Sequence, residues 1–405
     1  MSELEETEYE ITAIQAGRVF TPTSPIDERS LFSGRSQQVR LIVDVVNQKG
    51  QHAMLYGERG VGKTSLANVL ASFLASQNVT APRVNCDSLD TFSSVWKKVF
   101  EQVNLTATKP TRGLNVTDEV HSYKQADTLP DSVTPDTIRK VLVRLSQRTL
   151  PIIVIDEFDR LSERPRRAFA DTIKTLSDHA VDATIVLVGV ADSVEQLIAE
   201  HQSVERALVQ VRMPRMSPSE IDSIIDKGLK RLGMTIEAGA KHRIAKLSQG
   251  LPHYAHLLGL HASRAALDNR STSISPQVIE EAVDRSISGA QQSIRSHYEY
   301  AIRSPRKDNL FADVLLSCAL AETNDLGFFA AQDVRQPLRK ITKRQYEIPT
   351  FAQHLNEFCE PKRGPILQKT GSKRLYRYRF LNPLLQPFII MQGLQSSRIL
   401  AAMLD

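Results

Sequence analysis

Eight residues constrain this chain more than any others: Gly57-Glu-Arg-Gly-Val-Gly-Lys-Thr64, which fits the pattern G-x-x-x-x-G-K-[ST]. The apolar run Ala53 to Tyr56 before it reads as a buried strand, and Ser65 to Leu74 after it as an amphipathic helix. Strand, glycine loop and helix in that order make a phosphate-binding turn. Gly57, Gly60 and Gly62 permit backbone conformations closed to a residue with a Cβ. The N–H groups of Glu58, Arg59, Val61 and the residues through Ser65 then turn inward around a β-phosphate at the helix N-terminus. Lys63 supplies a point charge to the β and γ oxygens, and the Thr64 hydroxyl a ligand to Mg²⁺.

A nucleotide site of this kind needs an acidic partner, and Leu150-Pro-Ile-Ile-Val-Ile-Asp-Glu-Phe-Asp159 supplies one. It is a buried-strand run ending in acids. Asp156 at the strand end would hold Mg²⁺ through water, and Glu157 would orient and deprotonate an attacking water, with Asp159 the next candidate base. Alone, Asp-Glu after an apolar strand is often only a helix N-cap, roughly one time in three; the phosphate loop upstream favours the catalytic reading.

A length of 405 residues points to two or three domains, and 41% hydrophobic with 24% charged residues is ordinary for a soluble globular chain. Cys86, Cys318 and Cys359 are too far apart for a disulfide framework or a metal cluster and read as packing residues of a cytoplasmic protein. The first ten residues hold five Glu and no signal-peptide pattern, and no apolar run is long enough for a spanning helix, so no membrane association is expected. The net charge of +5 is uneven. Residues 291–405 contain 17 Lys and Arg against 10 Asp and Glu, leaving 34 against 36 in the first 290. An anionic partner is therefore expected at the C-terminal part.

Leu31-Phe-Ser-Gly-Arg-Ser-Gln-Gln38 resembles the h-x-G-R-x-x-[QE] segment that precedes the phosphate loop in replication-initiator ATPases and in the signal-transduction (STAND) ATPases. There it packs beside adenine, which implies roles for Gly34 and Arg35. The resemblance to the AAA+/STAND group, and to its origin-recognition type, extends over most of the chain. Arg83 to Cys86 reads as the second strand, Ser93 to Val103 as the helix after it, 104–134 as a loop insertion, and Thr134-Pro135 as the start of another helix. In AAA+ ATPases a polar residue at the tip of the strand corresponding to 183–193 senses the γ-phosphate, which points to Asp192, with Ser193 as fallback. Arg206, just before the last sheet strand at Leu208 to Met213, matches the arginine finger that reaches a neighbouring subunit; pairing with a surface acid is the alternative.

Ser217-Pro-Ser-Glu220 is a capping box with Pro at N1, and amphipathic runs at 219–232, 238–248, 252–267 and 276–288 make a helical lid. Within it Gly250-Leu-Pro-His253 resembles the G-x-P segment of STAND ATPases and the sensor-2 region of AAA+ lids, which places Pro252 and His253 at the nucleotide. Where many AAA+ proteins have Arg after the proline, this chain has His253, a weaker and pH-dependent phosphate partner. As an alternative, His253 is only a helix cap.

The last third looks like a winged helix-turn-helix: helices at 309–321, 331–341 and 350–358, a Thr-Gly-Ser-Lys turn, and the alternating strand Leu375 to Phe380. Pro361 to Phe380 carries Lys369, Lys373, Arg374, Arg377 and Arg379 among its cations and no acid, which suits a DNA phosphate backbone. The third helix, with His354, Asn356 and Glu357, has no Lys or Arg, so a protein-docking wing stays open.

The expected architecture is α/β: an acidic, flexible segment (1–25), an ASCE-type P-loop core with a parallel sheet and helices on both faces (26–215), a helical lid (216–290) and a winged helix with its tail (291–405). The expected function is an ATP-hydrolysing switch using ATP and Mg²⁺, forming nucleotide-dependent homo-oligomers and binding duplex DNA. The alternatives are a STAND-like signalling or antiviral-defence ATPase whose wing docks an effector protein, and a module that holds ATP without hydrolysing it.

Overall fold

A computed structural model describes residues 3–24, 33–74, 79–109, 119–130, 132–190, 204, 206–305, 309–324, 326–372 and 375–404. From the amino terminus, α1 (Glu3–Val19), α2 (Ser36–Val46) and β1 (His52–Gly57) lead into α3 (Lys63–Leu74). Then come β2 (Val79–Thr80), β3 (Arg83–Asn85), α4 (Phe92–Glu101), β4 (Asn104–Lys109), β5 (Glu119–Lys124), α5 (Pro135–Ser146), β6 (Leu150–Asp156), α6 (Glu163–Asp178), β7 (Thr184–Val190) and β8 (Leu208–Arg212).

The uninterrupted apolar runs of β6 and β7 can lie only where both faces are covered, and that is their position. The parallel sheet runs β2-β6-β7-β1-β8, with β3 also paired to β6, so β6, β7 and β1 are adjacent and aim their C-terminal ends at one edge. Alternation along the strands separates two cores. Met54, Ile153, Ile155, Ile185 and Leu187 face α4, α5 and α6, where Trp96 stacks between Phe100 and Phe169 at 5.4 and 5.8 Å. Ala53, Leu55, Val154, Val186 and Val188 face the other side, in a core that includes α2 and α3 and continues into the rest of the chain. Sheet and flanking helices are thus as the sequence led us to expect.

Two expectations change. The 104–134 insertion is not a plain loop: β4 and β5 pair antiparallel from Asn104↔Lys124 to Lys109↔Glu119 and form a sheet of their own. Residues 3–19, expected as part of a flexible segment, form α1, which packs on the helices that follow the sheet. Ala16 and Phe20 are fully buried, and Phe20 lies against Gly228 and Gly259, where any Cβ would strike its ring. Burying a Phe side chain is worth roughly 1.5–3 kcal/mol, enough to order an otherwise acidic helix.

After the sheet come α7 (Pro218–Leu232), β9 (Thr235–Ile236), α8 (Ala238–Ser248), α9 (Pro252–Asp268), β10 (Ser273–Ile274) and α10 (Pro276–Ser288). Ser217 caps α7 through the Glu220 amide, Glu220 Oε2 accepts from Ser217 N, and Gly233 closes the helix in the left-handed region. The other Glu220 oxygen accepts from Arg35 N at 3.0 Å, so one capping carboxylate ties the approach to the sheet onto the lid-like helices.

The C-terminal part contains α11 (Gln292–Ile302), α12 (Phe311–Ala319), β11 (Phe329–Ala330), α13 (Ala331–Thr342), α14 (Ile348–Glu357), β12 (Leu367–Thr370), β13 (Arg377–Phe380) and α15 (Leu385–Gln395). Its three strands pair antiparallel in the order β11-β13-β12. Tyr378 and Phe380 turn inward onto Phe329, while Arg377 is exposed, the alternation expected of that strand. No helix among the described residues is long and apolar enough to cross a membrane.

Candidate nucleotide-binding site

The loop between β1 and α3 is held against β8, where Met213 N donates to Tyr56 O at 2.8 Å. A Cβ on Gly57 would collide with Met213 O, so glycine is required here by close approach as well as by its φ of 150°. Lys63, at the first turn of α3, is buried and folds back to donate to the carbonyls of Gly57 (2.9 Å) and Glu58 (2.6 Å). Burial pushes its ammonium down to about 8, against the opposing pull of Asp159, Asp156 and Glu58.

Asp156 ends β6, which β7 separates from β1, and is 3% exposed. One of its oxygens accepts from Glu157 N at 2.8 Å and the other from Arg83 Nη2 at 2.9 Å. Arg83 comes from β3 and also donates to Asn68 on α3. Glu157 turns the chain out of the sheet with φ 55°, and its carboxylate pairs with Arg160 at 2.9 Å at the end of a 3-10 turn. Asp159, in the same turn, accepts from Val190 N at 2.8 Å and so fixes the end of β7.

These residues open onto one cavity of about 720 Å³. Its phosphate end is lined by Arg59, Gly60, Gly62, Lys63, Thr64, Ser65, Asp156, Glu157, Asp159 and Arg160. Its other end is closed by Thr21, Pro22, Thr23 and Ser24 from the strap after α1, by Arg35, by Met216 and Ile224, by Pro252, His253 and His256 of α9, and by Leu384. His253 donates from Nδ1 to Pro22 O (2.7 Å), and Thr21 N donates to His256 Nδ1 (3.3 Å), so α9 holds the strap. Burial lowers both imidazoles, His256 to about 4, and the two rings are neutral at pH 7. Arg35 is 3% exposed and donates to Val61 O (2.9 Å) and Pro214 O (2.6 Å), bracing the loop from behind.

Residues 46–198 match the AAA domain family. The chain carries an AAA domain. It is similar in structure to a Walker-type ATPase of Pyrococcus abyssi, with a TM-score of 0.53 and 14% identity over 92% of this chain and 99% of that one. It is also similar, at 14% identity, to the ORC2 protein of Aeropyrum pernix (TM-score 0.49, covering 94% and 98%) and to Cdc6p of Pyrobaculum aerophilum (0.48, covering 95% and 99%). At such identity the likeness is one of fold alone. No curated protein matches the sequence.

Of the positions singled out in the AAA domain and the helices beyond it, Arg35, Arg59, Gly60, Gly62, Lys63, Thr64, Ser65, Asp156, Glu157, Pro252 and His253 line the cavity. Gly57 and Val61 are not among its lining residues, and Gly34 faces Glu220. Glu58 turns away altogether. It is 7% exposed and pairs with Arg215 Nε at 2.7 Å; Arg215 Nη1 donates to Gln386 Oε1 at 2.6 Å, and Gln386 Nε2 donates to Ala319 O at 2.9 Å. Gly327 closes over the same carboxylate so tightly that a Cβ would collide with Glu58 Oε1. The phosphate loop of the AAA domain is thus in direct contact with the C-terminal part.

Arg206 is exposed and lies two residues before Leu208, which pairs with His52 at the start of β1. It is therefore at the far end of β1 from its own phosphate loop, about five residues or roughly 17 Å of strand away. Asp192 and Ser193, and the wing residues Lys373 and Arg374, fall outside the described residues. Lys369 donates to Asn356 Oδ1 at 2.8 Å and lies 3.7 Å from the centre of the Tyr376 ring. Arg379 donates to Gln368 and stacks over Phe328 at 4.6 Å. Sequence reasoning did not find Arg83, Arg160, the strap 21–24, His256 or the Arg215 cluster. For Arg160 a signal existed, since it follows Asp159 directly in the acidic string.

Proposed function

We propose that this chain binds ATP in the 720 Å³ cavity and hydrolyses it. The observation that carries the reading is that Lys63, Thr64, Asp156 and Glu157, from two separate strand ends, line one wall of a cavity roofed by the helices after the sheet. The loop N–H groups and Lys63 would hold the β and γ phosphates, Lys63 exchanging the carbonyls of Gly57 and Glu58 for phosphate oxygens. Thr64 and Asp156 fit a Mg²⁺ site, because this ion takes one or two protein oxygens and fills the rest of its shell with water and phosphate; it would supply charge neutralisation at those phosphates. Glu157 accepts a proton from water as the water oxygen bonds to the γ-phosphorus and the bond to the bridging oxygen breaks, giving ADP and phosphate. Glu157→Gln should keep nucleotide affinity and lower phosphate release by about 10² to 10⁴. Turnover equal to wild type in that variant would move the base to Asp159.

In the same reading the nucleotide state governs self-assembly and the C-terminal part. The order helix, strand, helix, helix, strand, strand from α12 to β13, with all three strands antiparallel, supports a winged helix. Among the described wing residues Arg377 is an exposed cation that DNA phosphates could reach. A second reading, a wing that docks protein, is favoured by the internal engagement of Lys369 and Arg379 and by Glu357 of α14, which pairs with Arg363 at 3.4 Å. Duplex DNA titrated at two salt concentrations separates them: a steep salt slope supports DNA, and no binding supports docking.

A further inference from the structure

Three cations in or beside the phosphate end of the cavity, Lys63, Arg83 and Arg160, rest on the protein's own oxygens. Lys63 rests on two loop carbonyls and Arg83 on Asp156, and both of these are inner contacts: Lys63 is 7% exposed, and the Asp156 side chain 4%. Arg160 is held differently. Its Nη1 lies 2.9 Å from Glu157 Oε2, with the two side chains 52% and 46% exposed, and both residues line the cavity. An exposed pair of this kind contributes little and exchanges readily.

The backbone keeps the two groups on one spot. Glu157 leaves β6 in the left-handed region at φ 55°, and Arg160 N returns to Glu157 O at 2.9 Å, closing a single tight turn. The turn therefore brings the guanidinium within reach of the Glu157 carboxylate, and both line the cavity together with Asp156, Asp159 and Lys63. A terminal phosphate brings more charge than a carboxylate and matches the planar fork of arginine equally well. While Arg160 holds Glu157 Oε2, a cation sits on the carboxylate and makes it a weaker base.

We propose that Arg160 reads the terminal phosphate of a bound nucleoside triphosphate, leaving Glu157 for it and so freeing the carboxylate to act on water. The assignment rests on the ATP-binding reading above and adds a discrimination to it. A diphosphate presents no γ oxygens, so Arg160 stays on Glu157 and keeps it a weak base; a triphosphate draws Arg160 off and restores its basicity. The coupling lies within one chain and is separate from any residue supplied by a neighbour.

The test is calorimetric titration of wild type, Arg160→Ala and Arg160→Lys with ADP and with a non-hydrolysable ATP analogue at fixed Mg²⁺. Arg160→Ala should bind ADP within twofold of wild type and the analogue about tenfold more weakly, the size of one lost charge-assisted hydrogen bond; Arg160→Lys should recover part of the difference. A residue that merely packs on Glu157 would shift both nucleotides equally, and that result, or no shift in either, overturns the assignment while leaving ATP binding in place. A wild-type protein that binds neither nucleotide overturns the ATP-binding reading, and this assignment with it.

Discussion

Burial of Lys63 gives the nucleotide site a pH dependence with a definite sign. With its ammonium pushed down to about 8, the nucleotide-free protein releases that proton near pH 8, whereas an unfolded chain holds it to about 10.4. Between those values the unfolded state binds more protons, so the nucleotide-free fold gains stability as pH rises. Binding runs the other way. Phosphate oxygens favour the charged ammonium, so binding above pH 8 takes up a proton, and ADP affinity should fall by up to about tenfold per pH unit from there. Titrations at pH 7, 8 and 9 check this; a flat affinity would place Lys63 away from the phosphates.

Among the elements, α1 gains its order from its last turn and the residue that follows. Phe20→Ala removes a fully buried ring and should cost roughly 3–5 kcal/mol in urea unfolding. The same variant should weaken nucleotide binding, because Thr21 to Ser24 line the cavity only while Phe20 anchors the strap. Neither role was legible beforehand, since five Glu in the first ten residues outweigh the short apolar run at its end. What was legible had a local cause. The apolar runs of β6 and β7, the Thr134-Pro135 start of α5 and the Ser217 capping box each declare themselves within a few residues. The hairpin β4–β5 stayed hidden because Asn104 to Lys109 alternates without a strong apolar face. Arg83 and Arg215 take meaning only from partners that the fold brings to them, whereas Arg160 sits three residues from its partner Glu157. Arg215 and Glu58 lie 157 positions apart, and no pattern in the sequence reports that meeting.

For the whole molecule, the strand carries Arg206 away from its own phosphate loop, so any phosphate it contacts would have to be a neighbour's. Mixing Arg206→Ala with Lys63→Ala should restore part of the phosphate release that each lacks alone, if the two co-assemble. Failure to do so in confirmed mixed assemblies would make Arg206 a surface residue.

The contact between the phosphate loop and the C-terminal part bears on how this chain can vary by descent. In a G-x-x-x-x-G-K-[ST] loop the second position owes nothing to phosphate through its side chain, and any residue that keeps the turn would serve there. Here it is mortgaged to Arg215, Gln386 and the bare backbone of Gly327, with the Glu58 side chain 5% and the Arg215 side chain 14% exposed. Breaking such a pair from one side costs roughly 3–5 kcal/mol. Glu58→Lys should therefore unfold at markedly lower urea than wild type, and adding Arg215→Glu should return part of the loss, since the Gln386 amide offers either a donor or an acceptor to its new neighbour. Position 58 can then drift only in company, and a lineage that freed it would first have had to let the C-terminal part move off the loop.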